Sequence, residues 1–183
     1  NYRQVLPYFK KAETWAFGAD DYRGGTGPLG VNNGNNMQNP LYQAFVDAGV
    51  DAGYFPTKDY NGAQQEGFGA MHMTVKNGRR WSTANAYLRP AMERPNLNVV
   101  THALVHQVLL DGKTATGVRD EPGGRGHEAK AVEEVILSAG SIGSPHLLQL
   151  SGIGQREVLE SAGIEVKHEL PGVGENVQDH LEF

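Results

Sequence analysis

One stretch limits the possible folds of this chain more than any other: Glu134-Val135-Ile136-Leu137-Ser138, which runs through Ala139-Gly140 into Ser141-Ile142-Gly143-Ser144-Pro145. A short apolar run closed by glycine has the form of a strand buried on both faces of a sheet. Ser144-Pro145 then starts a helix carrying Leu147, Leu148 and Leu150, and Gly152 stops it. A strand that turns directly into a helix sets the helix's free N–H groups, and the positive end of its dipole, at the strand's end. Such a turn suits an anion such as a cofactor pyrophosphate. Gly140 and Gly143 would let backbone approach it with no Cβ between. The spacing is not G-x-G-x-x-G, however, and Gly-x-x-Gly turns also serve plain packing. On the residues alone both readings stand.

Around this unit the chain reads as mixed α and β. Val5, Leu6, Phe9 and Ala12 recur at helical spacing, predicting a helix over residues 3–15 despite Pro7. Residues 20–36 are rich in Gly and Asn and read as loop, with a brief strand at 29–31. Asn39-Pro40 looks like an N-cap followed by Pro at the first helical position. Leu41, Ala44, Phe45, Ala48 and Ala52 form one stripe, predicting a helix over 40–52 that Gly53 closes. A strand is expected at 71–75, a hairpin-type turn at Asn77-Gly78, and a helix over 82–92 that ends near Arg89-Pro90.

From Asn96 the texture changes. Residues 98–101, 103–110 and 114–119 read as strands, with a turn at Asp111-Gly112 and a loop tip at 122–126. A helix over 155–162, ended by Gly163, and a strand at 164–168 follow. The fold class is therefore α/β in the mixed α+β sense, a β meander followed by a strand–turn–helix unit. The change of texture divides residues 1–95 from 96–183.

Composition removes several function classes. The chain has 183 residues, 39% of them hydrophobic, enough for one domain or parts of two. A net charge of −5 gives no basic face, so nucleic acid is not an expected partner. The absence of cysteine excludes disulfides, thiolate metal sites and a cysteine nucleophile, and it fits a reducing compartment. No apolar run is long enough to cross a bilayer. The expected location is cytoplasmic, with peripheral association at a membrane left open. The chain begins Asn1-Tyr2 without Met and ends Leu181-Glu182-Phe183 just after a Gly- and Asn-rich turn, so it reads as an internal fragment.

No metal site is expected either. His102 and His106 would lie on a strand about 13 Å apart, too far to share an ion. His72, His127 and His168 have no acidic or histidine partner at useful spacing, and His146 reads as structural. Arg79-Arg80 reads as solvated, and Tyr54, Phe55 and Tyr60 suit a core or an aromatic wall equally well. Ser138, Ser141 and Ser144 do not form a Gly-x-Ser-x-Gly elbow, so a serine hydrolase is unsupported.

Read through to its end, Gly140-Ser141-Ile142-Gly143-Ser144-Pro145-His146-Leu147-Leu148-Gln149-Leu150-Ser151-Gly152-Ile153-Gly154 resembles the second signature of the glucose–methanol–choline (GMC) oxidoreductases. Leu170-Pro171-Gly172-Val173-Gly174-Glu175-Asn176-Val177-Gln178-Asp179-His180 resembles that family's following element. Leu6-Pro7-Tyr8-Phe9-Lys10-Lys11-Ala12-Glu13 and Ser82-Thr83-Ala84-Asn85-Ala86-Tyr87-Leu88 match upstream, so the resemblance covers essentially the whole chain. It implies an enzyme that uses FAD to oxidise alcohols. Residues 96–183 would be part of the FAD-binding domain, and 1–95 part of the substrate or cap region with lid-like irregular segments.

The resemblance also implies residue roles. Val105 would contact the FAD adenine through its backbone, Ala139 and Gly140 would lie beside the ribose and pyrophosphate, and Asn176 and Asp179 sit in the element that returns toward the flavin. The family's glycine fingerprint and its base histidine fall outside these residues. No catalytic residue is therefore assigned in the chain, which is expected to be inactive alone.

Gln64-Gln65-Glu66-Gly67-Phe68-Gly69, Arg94-Pro95-Asn96-Leu97 and Asp179-His180-Leu181-Glu182-Phe183 resemble the choline-oxidising branch of the family. The activity implied is oxidation of choline to betaine aldehyde, with hydride passing from the alcohol carbon to the flavin, in glycine betaine synthesis. His180 would border the substrate pocket, and Glu182 would face the trimethylammonium group. A quaternary cation cannot donate a hydrogen bond, so its site needs a carboxylate or aromatic faces. By residue type alone Glu182 is a solvated strand residue. The alternatives are another alcohol of the same family, or a non-catalytic α/β interaction module. Nothing in these residues selects oxygen, a quinone or a carrier protein as electron acceptor.

Overall fold

The computed structural model describes residues 1–34, 36–120 and 126–180. It divides into two compact units, Asn1–Val99 and Val100–Phe183.

In the first unit, α1 (Tyr2–Ala12) begins with a capping box: the Asn1 side chain accepts from the Gln4 N–H while the Gln4 side chain accepts from the Asn1 amine. Pro7 stands inside the helix. The helix ends at Ala12 rather than residue 15, because β1 (Glu13–Trp15) pairs in parallel with β2 (Leu29–Val31). The next loop reinforces this, since Trp15 N–H donates to Gly24 O at 2.8 Å and Gly27 N–H to Glu13 O at 2.9 Å. A Cβ on Gly27 would overlap the Ala12 carbonyl carbon, so only glycine permits the approach. Strand pairing with distant residues thus overrides helical periodicity.

Helix α2 (Pro40–Asp51) follows the expectation to within a residue. The Asn39 side chain caps it by accepting from Leu41 N–H at 3.0 Å, and Gly53 leaves it with φ +91. Gly49 seats the helix on Phe68, whose ring lies 5.2 Å from Phe45 and 5.4 Å from Tyr54. The strand expected at 71–75 shrinks to β3 (Val75–Lys76), which pairs with β4 (Arg79–Arg80). Asn77 and Gly78 both have positive φ, 52 and 69, as a type I′ turn requires. Further back, Met73 only bridges Asn32.

Residues Ala84–Leu88 form a π-helical stretch that continues into α3 (Arg89–Ala91) instead of stopping at Pro90. Arg89 N–H bonds five residues back to Ala84 O. Pro90 therefore enters at the start of the new turn, where its missing N–H leaves no bond unmade.

The second unit opens with an antiparallel meander of β5 (Val105–Asp111), β6 (Thr114–Asp120) and β7 (His127–Lys130), in that order across the sheet. Residues 98–101 form no strand, β5 starts two residues later than expected, and β7 is additional to the expected strands. The loop tip at 122–126 falls mostly outside the described residues. Helix α4 (Gly140–Leu150), β8 (Ile153–Gly154), α5 (Arg156–Ser161) and β9 (His168–Glu169) follow, with β8 and β9 parallel. Only the end of the strand expected at 164–168 forms. Gly163, φ +71, closes the turn after α5. Among the described residues of this unit, Val108, Leu147, Leu159 and Val173 are the buried hydrophobic ones, and Ser151 is fully enclosed.

The strand expected at 134–138 is absent. Val135 and Leu137 are half-buried, whereas Ile136 is 75% exposed, so one face is covered and not two. A strand exists only by pairing, and no described residue pairs with this run. The helix also starts at Gly140, four residues before Ser144-Pro145, and Pro145 lies within it. Ser144 acts from inside α4, its Oγ accepting from Ala139 N–H at 3.0 Å.

Candidate functional site

The turn into α4 borders a groove of about 540 Å³ in the second unit. Val105 and Val118 of the meander line one side, and residues 134–139 with Leu147 of α4 line the other. The lining is mostly apolar, with Lys130 and Glu134 supplying opposite charges. Ligand pockets fall in the range of about 300–1,000 Å³, so the groove has room for a nucleoside-sized group. Gly140 has φ +86, and a Cβ built there would meet nothing within 4 Å. Glycine is needed for the backbone conformation, not for packing within the chain, and the space beside it stays open. The N-cap residue, Ala139, makes no side-chain cap bond to the first turn of α4 among the described residues. Its first-turn N–H groups and dipole therefore remain available to an anion.

The residues named from the resemblance divide into two groups. Val105 and Ala139 share this groove, and Gly140 follows at its edge. Asn176, whose φ is +57, and Asp179 are exposed and do not line it. Gln149, at the far end of α4, donates to Val173 O at 3.4 Å and so holds the segment leading to Asn176. The Asp179 carboxylate accepts from the His180 N–H at 2.8 Å. Glu182 lies outside the described residues.

The first unit holds a buried polar cluster that sequence spacing did not reveal. Arg23, 4% exposed, meets Glu13 at 3.3 Å and Asp59 at 3.6 Å. Its guanidinium carbon lies 4.2 Å from the Trp15 ring centre, a cation–π contact. His72 stacks on Tyr60 at 4.3 Å, with Nδ1 3.1 Å from the Asn61 amide nitrogen and 3.6 Å from Asp59. The expectation that His72 and His127 lack acidic partners is therefore corrected. Asp59 stands thirteen positions before His72, and Asp120 approaches His127 at 3.8 Å across the β6–β7 pair. His102 and His106 do not share a strand, since His102 precedes β5 in a left-handed conformation. Among the described residues no group of three or more potential ligands could hold a metal ion. No described helix is long and apolar enough to cross a membrane.

Burial lowers the His72 pKa below its ordinary 6.5, outweighing the pull of Asp59. Well above pH 6.5 His72 is neutral in both folded and unfolded chains. As pH falls below that value the unfolded chain takes up a proton that the folded chain resists, so stability drops with pH until the folded pKa is passed. Urea midpoints measured from about pH 7.5 to 5.5 are expected to fall more steeply for this chain than for a His72→Phe variant. Parallel slopes would show that His72 titrates as it does in the unfolded chain.

The comparisons with known proteins agree with one another. The GMC oxidoreductase family profile matches residues 1–182. The chain is 62% identical over 183 residues to an oxygen-dependent choline dehydrogenase of Photobacterium profundum, covering 100% of this chain and 32% of that protein. It is 58% identical to the oxygen-dependent choline dehydrogenase of Vibrio vulnificus, covering 33% of it. Among solved structures, an FAD-dependent oxidoreductase from Chaetomium thermophilum superposes with a TM-score of 0.86 at 33% identity, over 97% of this chain and 33% of that one. Pyridoxine 4-oxidase from Mesorbium loti superposes with a TM-score of 0.84 at 28% identity, over 93% and 34%. The chain spans about a third of the length of the relatives it matches. With a profile match along essentially its whole length and the glycine turn opening beside the groove, the chain belongs to the GMC oxidoreductase family.

Proposed function

We propose that this chain is part of an FAD-dependent dehydrogenase that oxidises choline to betaine aldehyde, with the second unit holding the adenosine half of FAD. The observation that carries the reading is the groove that brings Val105 and Ala139 together beside Gly140 and the uncapped start of α4. An apolar trough suits adenine and ribose, and a helix start with no side-chain cap beside a φ +86 glycine suits a pyrophosphate. When bound, the flavin accepts hydride from the alcohol carbon.

The roles of this chain's own residues follow from their chemistry. The Val105 backbone, at the first position of β5, orients the adenine edge. Ala139 and Gly140 bring backbone against the ribose and pyrophosphate without bulky side chains between. Asn176 and Asp179 are read as belonging to the segment that returns toward the flavin ring. Glu182 is read as the carboxylate that faces the trimethylammonium of choline. The first unit is read as part of the substrate or cap region. Oxygen is the acceptor proposed, following the names of the relatives, and a cytoplasmic setting accords with the cysteine-free sequence.

The test is a graft of these 183 residues in place of the matching stretch of the Photobacterium profundum relative, which aligns over 183 residues. The purified graft is expected to be yellow and to oxidise choline, whereas the 183-residue chain alone retains no FAD and turns over no choline. In the graft, Glu182→Gln is expected to raise the choline KM about tenfold or more and to leave neutral alcohols nearly unchanged, because a quaternary cation loses its counter-charge. A colourless graft would end the FAD reading. Equal changes for choline and neutral alcohols would end the assignment of Glu182.

A further inference from the structure

We infer that Ser151 is a positioning residue for the cofactor groove, joining its two walls through one hydroxyl. The inference rests on reading that groove as the FAD site. Ser151 has 0% exposure, and its Oγ makes two hydrogen bonds. It accepts from the Val108 N–H at 2.8 Å and donates to Leu147 O at 2.6 Å.

Both partners belong to the groove's frame. Val108 sits in β5 three positions after Val105, and Leu147 itself lines the groove from α4. Among the described residues β5 is an edge strand, with β6 on one side only. An edge strand needs its outward N–H groups satisfied by something other than a strand. Ser151 does this for Val108, which lies between the two register shifts of the β5–β6 ladder, at Val105/Gln107 and Leu109/Leu110. Where the ladder is irregular, a bond to the neighbouring helix decides where the strand sits.

The same helix end makes a second tether, since Gln149 donates to Val173 O. Gly174 follows with φ +85, a conformation that favours glycine, so the segment turns directly after this bond. The last turn of α4 thus anchors β5 on one side and the segment leading to Asn176 on the other. Its first turn presents Gly140. With the hydroxyl removed, β5 and α4 keep their own secondary structure but lose the bond that sets the distance between them.

The experiment uses the graft described above. Amide exchange at Val108, FAD dissociation constant and choline KM at saturating FAD are measured for the parent, Ser151→Ala and Ser151→Cys. Ser151→Ala is expected to speed Val108 exchange and to weaken FAD binding about tenfold, the scale of one buried donor left unpaired. The choline KM with FAD saturating should stay within about twofold. Ser151→Cys keeps a weak donor and acceptor and should fall between the other two. It also carries the comparison should the alanine variant not fold. An FAD constant unchanged while Val108 exchange is released would overturn the proposal. A parent graft that binds no FAD would remove the underlying reading and the proposal with it, a failure visible before any substitution is made.

Discussion

Replacing Arg23 with alanine is expected to destabilise the first unit by about 3–5 kcal/mol, the usual result of removing one partner from a buried ion pair. Arg23 is 4% exposed and stands between the Glu13 and Asp59 carboxylates. With the guanidinium gone, the half-buried Glu13 and Asp59 carboxylates lose their counter-charge, and the Trp15 ring loses the cation over its face. Glu13 belongs to β1, so the lost ion pair also loosens the anchorage of the β1–β2 pair. Against a total stability of about 5–15 kcal/mol this is a large fraction. Arg23→Lys should be intermediate, since an ammonium keeps the charge but not the planar fork that reaches both carboxylates. Urea unfolding followed by tryptophan fluorescence would read both variants. A loss below about 1 kcal/mol, the range of exposed pairs, would mean that water reaches the cluster.

Leu159→Ala is expected to cost the second unit about 2–5 kcal/mol. Leu159 is 1% exposed and lies on α5. The walls of its site are not free to collapse. Gly154, on β8, packs against the Leu159 side chain, and β8 is fixed by its pairing with β9. Ile164 N–H also closes the end of α5 onto Leu159 O at 2.9 Å. A cavity would therefore persist after truncation, placing the cost toward the upper part of the range. Thermal or urea unfolding of the second unit gives the number. A change below about 1 kcal/mol would show that α5 shifts inward to fill the space.

These sites differ in how far the sequence discloses them. Leu159 stands in a helical pattern ended by Gly163, both readable locally. Arg23 looks like an exposed charge in a glycine-rich loop, and only folding brings Glu13 and Asp59 to it. The same contrast separates the two walls of the groove. Gly140 and its turn are visible in the chain as a strand-to-helix junction, yet the strand itself did not form. Val135 and Leu137 have the right side chains for a strand, but side chains do not supply the neighbouring backbone to pair with. Ser151 could have been suspected as a lone hydroxyl at the end of an apolar helix, just before Gly152. Its partner Val108 is 43 positions away, and no spacing rule reaches that far.

The residue order alone therefore settles what acts over a few positions. Asn39 and Pro40 start α2, Asn77-Gly78 turns the β3–β4 hairpin, Gly163 ends α5, and the signature from Gly140 to Gly154 marks the family. Long-range contacts set the rest. They ended α1 at Ala12 by pairing β1 with β2, placed Val105 and Ala139 in one groove, and gathered Arg23 with its two carboxylates. Caps and turns are satisfied by atoms the chain supplies within a turn of itself, whereas strand partners, buried counter-charges and groove walls come from residues whose distance apart only the folded chain sets.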